Sequence, residues 1–364
     1  MIRVLVAEDS RTVQELLVAI LESDPAIRVV GCARTGAEAV ELAGTLRPDL
    51  ITMDIHMPGM DGVEATKEIM ARWPTPIVIV ASSRSQADTD RSFHAMRAGA
   101  LMLVSKPDNP AAEGFNGRRE RLLAMVKAMA EVKVVRRWDT RTRTPSLRPE
   151  APSPDAAPSD APPPAERGGF RVVAIGASTG GPAALQRILE DLPRDIPVPL
   201  LVVQHIAEGF VAGFADWLAA SCNQRVTVAV DGEALAARTV YIAPEGAHLG
   251  VTDRHCIELA RTPPIEGLRP SATHLFRSVA RVYGARTLAV ILTGMGRDGV
   301  GGLRDVRAGG GYVIAQDEAT SVVHGMPGEA VGAGLASVVL PIQLIGPAIT
   351  QMVESLDANE NPRR

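Results

Sequence analysis

Three residues able to share an acyl-transfer reaction each follow an apolar run in this chain. Ser178 is the centre of a Gly-x-Ser-x-Gly pattern within GASTGG, Gly176–Gly181, directly after Phe170–Ile175. His205 follows Leu200–Gln204, and Asp298 lies in TGMGRDG, Thr293–Gly299, after Leu288–Leu292. A serine hydroxyl is a poor nucleophile until a base takes its proton. His205 suits that base, and Asp298 suits the carboxylate that orients and stabilises its imidazolium. A glycine-flanked turn ahead of a helix presents a hydroxyl, admits substrate and favours developing negative charge. Backbone N–H groups near Met295 suit part of an oxyanion hole.

Other assignments stay open on spacing alone. His248, His255, His274 and His324 compete as bases, and Asp305 and Asp317 compete with Asp298. GASTGG also resembles a phosphate-cradling loop, but it lacks Gly-x-Gly-x-x-Gly and no P-loop lysine follows. The order Ser…His…Asp differs from the Ser…Asp…His order of α/β-hydrolases.

A second group of chemically active residues sits in the N-terminal third. Glu8 and Asp9 end one apolar run, Asp54 ends another, and Lys106 precedes Pro107 after a third. Carboxylates that converge at the carboxyl edge of a parallel sheet repel one another and suit a hard cation such as Mg²⁺. One of them is then free to attack phosphorus, with Lys106 placed to pair with phosphoryl oxygens.

The intervening patterns predict the elements that place these groups. In the first region, strands are expected at Arg3–Ala7, Ile27–Ala33, Leu50–Asp54, Ile77–Ala81 and Ala100–Ser105. Val13, Leu16, Leu17, Ile20 and Leu21 share one helix face, and further helices are expected at Ala37–Thr45, Val63–Arg72, Asp88–Arg97 and Arg118–Val135. The second region predicts strands at Arg171–Ile175, Leu200–Gln204, Thr239–Ile242, Leu288–Leu292 and Gly311–Ala315. Its expected helices are Pro182–Asp191, Val211–Ala219, Ala272–Tyr283 and Gly299–Ala308, with extra loops around Val226–Arg261. Such alternation predicts an α/β fold with parallel sheets covered on both faces. Between the regions, Arg141–Gly169 is rich in Pro, Ala, Ser and Asp and reads as a flexible linker.

At 364 residues the chain has room for two cores, and aromatics at 3% leave those cores to aliphatic side chains and Met. A net charge of −4 gives no sign of a nucleic-acid or anionic-membrane surface. No signal peptide fits the start and no apolar run nears the roughly 20 residues of a membrane helix, so a cytoplasmic protein without membrane insertion is expected. Cys32, Cys222 and Cys256 form no metal spacing and no disulfide framework, and read as small core residues in a reducing compartment.

MDIHMPGMDG together with Lys106-Pro107 resembles a response-regulator receiver domain. That resemblance implies a flavodoxin-like domain over 1–125, with Asp54 as phosphoacceptor and Glu8 and Asp9 as Mg²⁺ ligands alongside it. It implies a hydroxyl residue at the end of the fourth strand. Counting back from Lys106 selects Ser82 and counting forward from Asp54 selects Ala81, with Ser82 favoured because the role needs a hydroxyl. GASTGGPAAL, VVQHI, LTGMGRDG and AQDEATSVVHGMP resemble the chemotaxis protein-glutamate methylesterases, which are also glutamine deamidases. That second resemblance implies a Rossmann-like parallel-sheet catalytic domain over 169–356, reached through a helix end and linker at 126–168 and followed by a tail at 357–364.

The same resemblance implies Ser178, His205 and Asp298 as triad, Thr179 beside the nucleophile and the Met295 amide as oxyanion donor. It implies no cofactor for the hydrolase site, methyl-accepting chemoreceptors as substrate and a chemotaxis histidine kinase as phosphodonor. The departures from the family are a longer, more proline-rich linker and His324 in place of a common tyrosine. A DNA-binding regulator predicts a basic recognition helix, and only dispersed arginines are present. A catalytically silent docking protein predicts a broken triad. A methylesterase of a non-motility pathway has the same sequence signature.

Overall fold

The computed structural model describes residues 1–81, 86–107, 115–132, 134 and 169–354. Ser82, most of the linker and the tail lie outside the described residues.

The N-terminal half alternates β1 (Ile2–Ala7), α1 (Arg11–Glu22), β2 (Ile27–Ala33), α2 (Gly36–Leu46), β3 (Leu50–Met53), α3 (Gly62–Arg72), β4 (Ile77–Ala81), α4 (Gln86–Ala98), β5 (Met102–Ser105) and α5 (Phe115–Ala130). The strands form one parallel sheet in the order β2-β1-β3-β4-β5. β3 and β4 are buried along their whole length, as parallel strands covered by helices on both faces must be. Helix starts follow local chemistry. The Asp61 carboxylate accepts from Val63 N and Glu64 N, both at 2.9 Å, and so begins α3. Thr35 Oγ1 accepts from Glu38 N while Glu38 reaches back to Arg34 N at 2.7 Å, a reciprocal cap on α2. The expected last helix stops at Ala130, short of Val135, which lies outside the described residues.

The C-terminal half runs β6 (Val172–Ala177), α6 (Gly181–Asp191), β7 (Leu200–Gln204), α7 (Val211–Ser221), β8 (Arg225–Val228), β9 (Thr239–Ile242), β10 (His248–Val251), β11 (Ile257–Ala260), α8 (Ala272–Tyr283), β12 (Thr287–Ile291), α9 (Val300–Ala308), β13 (Tyr312–Gln316), α10 (Met326–Gly332), β14 (Val338–Leu340) and α11 (Ile342–Glu354). Seven strands form a parallel sheet in the order β14-β13-β12-β6-β7-β9-β8. The chain leaves β6 toward β7 on one side and later returns to β12 on the other. The order therefore reverses at β6 and β12, where α/β sheets open a crevice outside the strand ends.

The extra loops expected around Val226–Arg261 give way in part to strands: besides the expected β9, the region carries β8 and the antiparallel pair β10–β11, in register from His248↔Ala260 to Val251↔Ile257. β8, β10 and β11 carry Arg225, Thr227, His248, Gly250 and Glu258 among their apolar residues, so they offer no unbroken apolar run such as Val240–Ile242 of β9. α10, β14 and α11 are also additions to the expected elements. Pro347 inside α11 and Pro327 in the first turn of α10 weakened their helix signal.

Candidate functional site

β6, β7 and β12 bring Ser178, His205 and Asp298 to the carboxyl edge of the second sheet. β6 ends at Ala177, and Ser178 N donates to Thr293 O at 3.0 Å, which ties the serine to the segment after β12. Gly180 takes φ 76 to turn the chain into α6, a conformation that a Cβ would strain. Its position is also tight, since a Cβ there would meet Val322 at 2.6 Å. β7 ends at Gln204, and His205 N donates to Ala177 O at 3.0 Å. Gln204 Nε2 donates to the carbonyls of both Ser178 and His205, each at 2.8 Å, so one buried amide holds the two strand ends together.

His205 Nε2 lies 3.0 Å from Asp298 Oδ2. Asp298 is buried and accepts further hydrogen bonds from Ser271 Oγ at 2.6 Å, Ala272 N at 2.7 Å, Thr273 N at 3.0 Å and Gly299 N at 2.9 Å. Burial pushes the Asp298 carboxyl up, but His205, Ser271 and Thr273 outweigh it and hold the group well below the usual carboxylate range. Asp298 is thus an ionised acceptor, and the Nε2 of His205 carries the proton between them. That leaves Nδ1 as the ring nitrogen able to take a proton. No hydrogen bond joins the Ser178 hydroxyl to His205 among the described residues.

The competing residues lie elsewhere or have other partners. His248 and His274 stack on each other with centroids 4.8 Å apart, and His255 packs on Tyr283 at 5.2 Å. His324 lies opposite Gly294 in an isolated bridge, with its Nδ1 buried and unpartnered. Asp305 pairs with Arg277, and Asp317 accepts from the amide and hydroxyl of Thr320. Thr179 is buried with its hydroxyl unpartnered, and Met295 is 47% exposed on the turn after β12.

At the edge of the first sheet, one carboxylate oxygen from each of Glu8, Asp9 and Asp54 lies within 4.8 Å of the others. Lys106 Nζ is 2.8 Å from Asp54 Oδ2 and 2.9 Å from Glu8 Oε2. Burial and the neighbouring Asp54 charge push the Glu8 carboxyl up despite Lys106. Burial pulls the Lys106 ammonium down, but contacts with Asp54 and Glu8 outweigh it and raise its pKa overall. Three crowded carboxylates, one of them held reluctant to ionise, are an oxygen donor set that fits Mg²⁺. Ala81 ends β4 and its carbonyl accepts from Lys106 N at 2.8 Å.

The model of the CheB methylesterase family matches residues 173–349, and that of the response regulator receiver domain matches residues 4–112. The protein-glutamate methylesterase/protein-glutamine glutaminase 4 of Myxococcus xanthus is 53% identical over 96% of this chain and 96% of its own. The chain belongs to the CheB methylesterase family. Similar proteins of the same printed name from Syntrophus aciditrophicus and Anaeromyxobacter dehalogenans are 47% and 51% identical over 98% and 93% of this chain, and over 99% and 96% of their own lengths.

In this CheB-family chain the receiver lies across the strand ends that carry Ser178. Phe93 of α4 packs its ring 5.3 Å from both Phe214 and Trp217 of α7. Gly180 N, two residues from Ser178, donates to the receiver's Leu101 O at 3.3 Å. Phe93, Met96, Leu101, Met102 and Leu103 meet Ser178, Thr179 and His205 around a cavity of ≈ 20 Å³, room for about one water. A larger cleft, ≈ 670 Å³, opens at the amino end of the sheet beside Arg171 and Tyr283 and touches none of Ser178, His205 and Asp298. No helix among the described residues is long and apolar enough to cross a membrane.

Sequence reasoning passed over two residues that hold the CheB site together, Gln204 and Ser271. Gln204 adjoins His205 and, at a strand end, was the nearest polar signal. Ser271 has the look of an ordinary N-cap before Ala272–Tyr283, and only the fold shows its hydroxyl aimed at Asp298.

Proposed function

We propose that this CheB-family enzyme removes methyl esters from glutamate side chains of chemoreceptors, deamidates receptor glutamines, and is switched on by phosphorylation of Asp54. The observation that carries the chemistry is the Asp298–His205 pair beside Ser178. Ser178 Oγ attacks the side-chain carbonyl carbon as His205 Nδ1 takes its proton, and Asp298 stabilises the resulting imidazolium. The imidazolium returns that proton to the departing methoxide, releasing methanol, or to the departing amide, releasing ammonia. Water, deprotonated by Nδ1, then attacks the acyl-serine, and the proton passes back to Ser178 Oγ, leaving a glutamate. The Met295 amide and the unpartnered Thr179 hydroxyl are the donors suited to the oxyanion.

In the receiver, Glu8, Asp9 and Asp54 would hold Mg²⁺, which when bound neutralises the charge of an incoming phosphoryl group. Asp54 supplies the attacking carboxylate oxygen, and Lys106 exchanges its pairing with Asp54 for the phosphoryl oxygens. That exchange breaks the 2.8 Å ion pair and gives the receiver a reason to rearrange around β5. The ≈ 20 Å³ cavity over Ser178 leaves no room for a receptor helix, so turnover goes with an arrangement that lifts α4 and β5 away. The phosphodonor is a chemotaxis-type histidine kinase, the site of action is the cytoplasm, and residues 126–168 serve as the tether between 1–125 and 169–356.

Methanol release from methylated receptor cytoplasmic fragments tests this reading, with and without a small-molecule phosphodonor and Mg²⁺. Release that requires Ser178 and rises with phosphodonor is expected. Undiminished release by Ser178→Ala would overturn the nucleophile, and stimulation that survives Asp54→Ala would overturn the switch.

A further inference from the structure

Ser271 immediately precedes α8, in the position where a serine ordinarily caps a helix by accepting from the amides of the first turn. Here its side chain makes no cap hydrogen bond. The Ser271 hydroxyl instead donates to Asp298 Oδ1 at 2.6 Å, and the first amides of α8, Ala272 N and Thr273 N, also donate to Asp298. The helix is therefore capped by a carboxylate from the turn after β12, and the serine has turned to hold that carboxylate as well. Ser271 and Asp298 are both almost wholly buried, so no bulk water competes for these bonds.

The donors divide between the two oxygens in a way that fixes the plane of the carboxylate. Oδ2 receives His205 Nε2 and Ala272 N, while Oδ1 receives Ser271 Oγ, Thr273 N and Gly299 N. Gly299 N is itself shared with Thr273 Oγ1 at 2.8 Å. Apart from His205, Ser271 supplies the only side-chain donor among these five.

We propose that Ser271 is a positioning residue for the hydrolase. Its hydroxyl holds the Asp298 carboxylate in the plane that meets His205 Nε2, and so sets the orientation of the ring. It touches neither substrate nor the reacting atoms and acts through Asp298. This inference rests on the triad reading above and adds to it a residue that sets the orientation of the aspartate.

The test compares Ser271→Ala and Ser271→Thr with wild type in the full-length enzyme activated by phosphodonor and Mg²⁺. Ser271→Ala is expected to lower kcat for methanol release about tenfold while leaving KM within twofold, because substrate contacts are untouched. Ser271→Thr, which keeps a hydroxyl, is expected to recover most of that loss. In ¹⁵N-histidine-labelled protein the His205 Nε2–H resonance is expected to move in Ser271→Ala and to return toward the wild-type position in Ser271→Thr. Unchanged kcat and resonance in Ser271→Ala would overturn the proposal. So would an equal loss in both variants with an unmoved resonance, which marks a packing role alone. Ser178→Ala, run beside them, separates the two levels: an active Ser178→Ala sinks the triad, whereas an inactive one with a silent Ser271→Ala sinks only the role of Ser271.

Discussion

Asp298 Oδ2 meets Nε2 of His205 at 3.0 Å, so the proton of the neutral ring points at the aspartate from Nε2 and the free lone pair belongs to Nδ1. Serine proteases turn the other ring nitrogen, Nδ1, to their aspartate. His205 begins immediately beyond β7, with its backbone N–H bonded to Ala177 O, and its ring reaches across the sheet edge to the turn after β12.

Asp298→Asn presents an amide where a carboxylate now accepts, and favours the ring tautomer with its proton on Nδ1. A fall in kcat of about 10⁴-fold is expected, with the fold retained. Methanol-release kinetics measure the loss, and ¹⁵N shifts of His205 report the tautomer. Wild-type-like turnover would place the base elsewhere.

Gly181→Ala drives a methyl group into the Gln204 side-chain oxygen and against Ala177 Cβ at 2.9 Å. The Gln204 amide then loses its grip on the Ser178 and His205 carbonyls. Misplacement of the nucleophile by even an ångström costs on the order of 10²-fold, so kcat is expected to fall by about that factor while phosphorylation of Asp54 proceeds normally. Parallel assays of methanol release and phosphoryl incorporation separate the two effects.

Phe93→Ala removes the ring that the receiver wedges against Phe214 and Trp217. Burying a large aromatic stabilises a core by about 3–5 kcal/mol, and about 1.4 kcal/mol lost from the closed arrangement alone shifts the closed–open ratio tenfold. Activity without phosphodonor is expected to rise about tenfold and the stimulation by phosphodonor to shrink. Basal activity unchanged from wild type would argue that the packed face does not restrain the enzyme.

His274 carries a pH dependence of stability distinct from catalysis. Burial, with the charges of His248, Arg277 and Arg281, pulls its pKa from 6.5 to about 4. The unfolded chain therefore binds this proton first as pH falls. The stability associated with a neutral His274 is full above pH 6.5 and is lost as pH falls through about 4, by about 3 kcal/mol at most before water around this half-exposed ring screens it. Urea unfolding at pH 7 and pH 4.5 should show a smaller drop for His274→Gln than for wild type. Equal drops would mean that other groups carry the acid sensitivity.

Much of this architecture was legible from pattern. Leu200–Gln204, Ile77–Ala81, Thr239–Ile242 and Ala272–Tyr283 occur with the expected bounds. Their apolar runs or helical periodicity reflect burial, which depends on residue type and spacing. β10 and β11 escaped because Gly250 and Glu258 break their apolar runs, and β14 because it has only three residues; all three owe their existence to a partner strand.

The residue types and their order along the chain, without any coordinates, mark Ser178, His205, Asp298, Glu8, Asp9, Asp54 and Lys106 as the groups with chemistry to do. They do so because each stands just past an apolar run, and because the motifs around them resemble the receiver and methylesterase families. Which histidine faces which aspartate, and by which ring nitrogen, was decided only by the tertiary structure. Those 93 residues of separation close only when β6, β7 and β12 lie side by side in one sheet. The same holds for Ser271 and Gln204, whose hydrogen bonds span 27 and 26 residues, and for the receiver face over Ser178. Hydrogen bonds act over about 3 Å, and no local pattern along a chain encodes a distance that folding alone creates.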